Sequence, residues 1–256
     1  MGDFAGRKRT QRAWCLYDWA NSAFATSVVA AILPVYFARM AARSMPAHEA
    51  TALWGYASAA ALAVTALLAP IVGGIADQSR RRKPILLVCV LLGALGTFAL
   101  ALTPASAWHV LLVAFALSFI AFATANVLYD SLLPAVAAPG EMDRVSARGF
   151  AWGYIGGGIL LALNLAMITL PHRFGLADAA TATRVSFATV AAWWLAFSIP
   201  LFRDVPEPEA ERSGLPAREL PAAVLRQLGT TLRGLGGQPD LLRFLVAFWL
   251  YSDGIG

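Results

Sequence analysis

"GGIADQSRRRKP", Gly73 to Pro84, is the stretch on which the reading of this chain turns. One acid and four consecutive cations interrupt two long apolar runs, one reaching back to Glu49 and the other forward to Tyr129. A helix needs about 20 apolar residues to cross a bilayer, so the earlier run is long enough for one crossing and the later run for two. "TPASAW", Thr103 to Trp108, supplies the turn between those two.

Working outward, the same criterion gives a first helix from about Trp14 to Met40, a fifth from Gly149 to Leu170 and a sixth from Val185 to Phe202. The predicted architecture is an all-α membrane protein. Residues 1–13 form an N-terminal segment, 14–202 a six-helix bundle, 203–240 a linker, and 241–256 the start of a seventh helix that the sequence does not complete. The linker carries "RDVPEPEAERSGLPARELP", whose prolines and charges suit a solvated connection, with a short surface helix expected around Ala222 to Leu232.

Composition agrees with this reading. Hydrophobic residues make up 59% of the 256 and charged ones 14%, against about 25% charged in soluble domains. The net charge of +5 does not point to nucleic acid, because the cations sit at helix ends and form no stripe interleaved with aromatics. Instead they alternate. With the N-terminus in the cytoplasm, sixteen of the twenty Lys and Arg fall on inner segments and only Arg39, Arg43, Arg173 and Arg184 on outer ones. A multi-pass protein of a bacterial inner membrane is the expectation.

No enzyme motif is present: there is no HExxH, and no GxSxG in a strand-turn-helix setting. Cys15 and Cys89 have neither disulfide nor zinc spacing and read as packing residues. His48, His109 and His172 fall on the outer side, where ordinary loop histidines outnumber metal ligands and pH sensors. No metal or cofactor is expected.

Polar residues inside the apolar runs are the candidates for chemistry, since an acid within a membrane helix costs at least roughly 2.5–3.5 kcal/mol and needs a partner or a watery cavity. Asp18 and Asn21 are three residues apart and Asn126 and Asp130 four, so each pair shares a helix face. Tyr17 adds a hydroxyl nearby. Asp18 lies six residues after Arg12, about 9 Å along a helix, which places it near the inner mouth. Asp130 and Asp253 fall at a similar level. A cytoplasmic gate, a structural ion pair with Arg144 or Arg148, and a coupling-proton site are the three roles open to these acids. In the fifth helix Gly153, Gly156 and Gly157 flatten one surface for close helix packing.

The loop quoted first resembles the one that joins the second and third helices in the major facilitator superfamily. Gly73, Asp77, Arg81 and Arg82 match that pattern, and Arg80 stands where the family usually has glycine. "LYDWANSAFATSVVAAILPVYF", "DSLLPAVAAPGEMDRVSARGFAWGYIGGGILL" and "FWLYSDGIG" are similar to the Atg22-like, or UMF1, branch. The resemblance implies a half-bundle of a secondary transporter in which the loop latches two halves together. It also implies a small organic solute, amino-acid efflux in particular, a proton as candidate coupling ion, and a C-terminal half of the same protein as partner. A non-transporting anchor or receptor that recruits through Arg203 to Asp240, and a half-size transporter acting as a dimer, are the competing readings. Trp14 precedes Asp18 by four residues and Trp249 precedes Asp253 by four, a loose repeat that suits first and seventh helices of parallel repeats.

Overall fold

Six helices in the computed structural model, which describes residues 2–104, 106–208, 218–235 and 237–255, are long and apolar enough to cross a membrane. They are Gly6–Ala41, Ala47–Ser79, Arg82–Leu102, Trp108–Asp130, Pro139–Thr169 and Ala179–Asp204, here the first to sixth spans. No strand occurs among the described residues. The turn from Thr103 to Trp108 lies where expected, but the first and fifth spans begin earlier than hydropathy suggests. Arg7 to Arg12 and Asp143 to Arg148 are helical, because Arg and Lys are good helix formers. Hydropathy marks where the bilayer starts; backbone hydrogen bonding continues past it.

The first span sits at the centre, packing along the fifth and sixth spans, while the third packs on the fourth and sixth and the second on the fourth. Glycines set the closest seam. On the fifth span, a Cβ at Gly156 would lie 2.5 Å from the Trp19 ring and 2.8 Å from the Trp19 carbonyl oxygen. Gly153 faces Ser22, and Gly157 faces Thr26 and the Ser22 carbonyl. These three glycines therefore pack on the first span of the same bundle.

The first span is not a uniform α-helix. Phe24–Ile32 forms π-helical turns, with the Leu33 N–H donating to the Val28 carbonyl. Pro34 follows at once and has no N–H to offer the carbonyl four residues earlier, so a widened segment next to it is physically natural. At the start of the sixth span the Asp178 carboxylate accepts the Thr181 N–H at 2.7 Å, a helix cap that holds this acid below the usual carboxylate range.

Between the second and third spans the chain turns on Arg80, in the left-handed conformation (φ 55°, ψ 41°). The Arg81 N–H reaches the Ala76 carbonyl at 3.2 Å and the Arg80 N–H the Asp77 carbonyl at 3.4 Å, the double closure that glycine ordinarily serves at a helix end. Arginine thus occupies, at a steric cost, the very conformation that makes glycine usual there.

The linker is more structured than a solvated connection. Its helix runs Leu220–Leu235 and docks on the end of the second span, with Val224 buried against Gly74 and the Gln78 Nε2 donating to the Gln227 Oε1 at 3.0 Å. The missing Cβ at Gly74 is what lets the valine in. A last helix, Pro239–Ile255, follows, with Phe244 and Phe248 among its exposed apolar side chains.

Candidate functional site

Asp18, Asn21, Ser22 and Thr26 come from the first span, Asn126 and Asp130 from the fourth, and Ser146, Phe150 and Tyr154 from the fifth; together they line a cavity of about 300 Å³. Residues 18, 22 and 26 recur every four positions, so the helix presents them on one face. The amide of Asn21 donates to the Asn126 Oδ1 at 2.5 Å, joining the first span to the fourth inside the apolar bundle. Asp18 is half-buried and Asp130 exposed to the cavity mouth.

Neither acid makes an ion pair or hydrogen bond among the described residues. The partners considered from sequence are engaged elsewhere: Arg144 donates to the Glu141 carboxylate at 3.2 Å and Arg148 to the Gln11 amide oxygen at 3.0 Å. Two acids facing one cavity, without a cation between them, need water or a polar solute there.

Trp14 and Tyr129 line the same cavity beside the two acids. Their rings stack at 4.4 Å, the Trp14 Nε1 donates to the Tyr129 carbonyl at 3.3 Å, and the Tyr129 hydroxyl donates to the Trp14 carbonyl at 3.2 Å. Such a reciprocal clasp fixes the register of the first span against the fourth. Tyr17 is placed differently from its expected position on the pathway: it is fully buried behind the wall, its ring 4.7 Å from Tyr129. Asp253 lies on the last helix, and its side chain is outside the described residues.

The loop between the second and third spans is tied to its surroundings. The Asp77 Oδ1 accepts from the Arg82 Nε at 2.6 Å, and the Arg82 Nη1 continues to the Ser131 carbonyl at 3.1 Å, at the end of the fourth span. Glu207, just past the sixth span, accepts the Arg82 N–H at 2.6 Å and the Lys83 N–H at 3.1 Å, capping the third span from a distance. The Lys83 ammonium donates to the Val205 carbonyl. Arg81 is exposed, and Gly73 leaves room beside Val127. These contacts bring the beginnings of the first, third and fifth spans to the same side as the ends of the second, fourth and sixth, with Arg9 bound to Asp204 at 2.6 Å among them.

Sequence reasoning did not single out Ser22, Thr26, Ser146, Phe150 or Tyr154. The first two carried a signal, since their spacing from Asp18 is helical; the other three stand on the cavity only because the glycine seam draws the fifth span against the first.

Six apolar helices, three of which line a cavity holding two acids, are the architecture of a multi-pass membrane protein. The sequence model of the family described as "Vacuole effluxer Atg22 like" matches residues 47–142 and 139–256, and the chain belongs to this family, the Atg22-like branch of the major facilitator superfamily. It is 35% identical over 253 residues to the uncharacterized MFS-type transporter YxiO of Bacillus subtilis (strain 168). That match covers 97% of this chain and 58% of the relative, so the chain spans rather more than half the relative's length.

Proposed function

We propose that residues 14–202 are one bundle of a secondary transporter that moves a small organic solute, an amino acid in particular, out of the cytoplasm by alternating access. Support comes chiefly from the cavity shared by the first, fourth and fifth spans, whose two acids have no cation beside them among the described lining residues. Asn21 and Asn126 offer amide groups to a zwitterionic solute, Asp18 faces its ammonium, and Asp130 stands at the mouth as gate or proton carrier. Asp253 would contribute from the second bundle. The remaining length of the relative is where that bundle is expected, and the loop holding Gly73, Asp77, Arg81 and Arg82 would latch the two. The sixteen-to-four bias of basic residues favours a cytoplasmic N-terminus, in a bacterial inner membrane.

Counterflow of labelled amino acids into proteoliposomes tests this reading. Asp18→Asn and Asp130→Asn are expected to lower the rate at least tenfold, roughly the cost of one well-placed charge, while Arg226→Gln on the linker helix leaves it unchanged. Full counterflow in both acid variants would refute the assignment. Activity of residues 1–256 without the second bundle would favour a half-size transporter.

A further inference from the structure

A second cavity, of about 490 Å³, opens on the side where the first span begins, within the size range of small-ligand pockets, about 300–1,000 Å³. Arg7, Lys8 and Arg12 face it from the first helix and Arg144 and Arg148 from the fifth. Lys8 and Arg12 are four residues apart, as are Arg144 and Arg148, so each pair is carried on a single helix face. Five cations thus line one space in which Glu141 is the one acid among the described lining residues.

The base of the cavity is a fixed network. Gln11, 6% exposed, donates through Nε2 to the Val136 carbonyl at 3.3 Å and to the Glu141 carboxylate at 3.5 Å, while its Oε1 accepts from Arg148. Glu141 also takes Arg144 at 3.2 Å and Arg7 at 3.9 Å. One carboxylate therefore serves two guanidinium groups, a third rests on a neutral amide, and Arg12 makes no hydrogen bond or ion pair among the described residues. The neighbouring cavity beside Lys8 and Arg12 differs, because its carboxylate, Asp204, is held between Arg9 at 2.6 Å and Arg203 at 3.0 Å. Topology alone asks only that cations collect on one side; it does not ask that they converge on one pocket, with Arg148 resting on a neutral amide and Arg12 unpaired among the described residues.

We propose that this cavity binds a phosphate group, with Arg12 and Arg148 as its principal donors and the Gln11–Glu141 network holding the arginines in place. Guanidinium groups match phosphate oxygens in geometry as well as charge. Two sources offer that chemistry, the headgroup of an anionic phospholipid and a free phosphate anion. The level of the site, six residues along the helix from Asp18 and two residues before the exposed Phe150 of the fifth span, suits either.

The test uses the whole chain purified in neutral detergent and needs no transport activity. Native mass spectrometry after partial delipidation in an equal mixture of phosphatidylglycerol and phosphatidylcholine reads the lipid arm; thermal melting in sodium phosphate against sodium chloride of equal ionic strength reads the free-anion arm. At least one arm is expected to respond: retention of phosphatidylglycerol about tenfold over phosphatidylcholine, or a higher melting temperature in phosphate. Lys8→Gln/Arg12→Gln/Arg144→Gln/Arg148→Gln is expected to abolish that response, and the single exposed change Arg12→Gln to weaken it should the fourfold variant not fold. Arg226→Gln/Arg233→Gln, which removes charge on the linker helix, should retain it. Silence in both arms, or a response that survives Arg12→Gln and the fourfold change undiminished, would overturn the proposal.

Discussion

The first and third spans bury similar shares of their apolar windows, 50% and 44%, yet they bury different chemistry. Within the membrane stretch the third span carries a single polar side chain, Thr97, which bonds back to its own helix at the Gly93 carbonyl. Apart from the Ala101 carbonyl near its end, which accepts from the Arg184 Nε at 2.7 Å, its contacts are of shape, such as Gly93 against the Trp194 ring, and Leu91, Leu92, Leu95 and Phe98 form an exposed apolar stripe suited to lipid. The first span carries Asp18, Asn21, Ser22 and Thr26 on the cavity, and Asn21 reaches across to the fourth. Burial by itself does not account for polar residues in a membrane helix; the first span holds them because it borders a cavity.

The largest expected effect breaks that comparison at its seam. Gly156→Leu forces a side chain into Trp19 and should destabilise the bundle by about 3 kcal/mol, the upper range for overpacking, whereas Gly158→Ala, whose Cβ meets nothing within 4 Å, should be tolerated; thermal melting in detergent reads both. Next, Asn21→Ala and Asn126→Ala in a double-mutant cycle should couple by about 0.6 kcal/mol, the measured average for hydrogen bonds between membrane helices, and by no more than the measured maximum of about 1.7 kcal/mol. Zero coupling would mean that the two amides meet without holding the spans together. Arg80→Gly should stabilise by about 1 kcal/mol, since a left-handed residue with a Cβ is strained by roughly that amount, and a lower melting temperature would count against the turn. Smallest of all, Leu95→Ala on the exposed stripe should shift stability by less than about 0.5 kcal/mol.

Much of this arrangement was legible in the sequence. Spacing of charges gave six crossings because the bilayer imposes one length on every helix, and the acids stood out because lipid makes them costly. Three features needed the third dimension. The π turns at Phe24–Ile32 follow from Pro34, but hydropathy is blind to hydrogen-bond register. The linker helix was expected at the surface, and its docking depends on a Val224–Gly74 fit between residues 150 positions apart. Tyr17 and Asp18 are neighbours in sequence, and the helical turn of about 100° per residue sends one into the core and the other to the cavity.

A transport pathway between the first and fourth spans must be wet, while the third span faces lipid. Single cysteines at Asn126 and Leu95, placed in a Cys15→Ala/Cys89→Ala background and probed in membranes with a charged methanethiosulfonate reagent, test this directly, because the thiolate that reacts forms only where water reaches it. Rapid labelling of Asn126→Cys with none of Leu95→Cys is the predicted result; an unreactive Asn126→Cys, or equal labelling of the two, would contradict it.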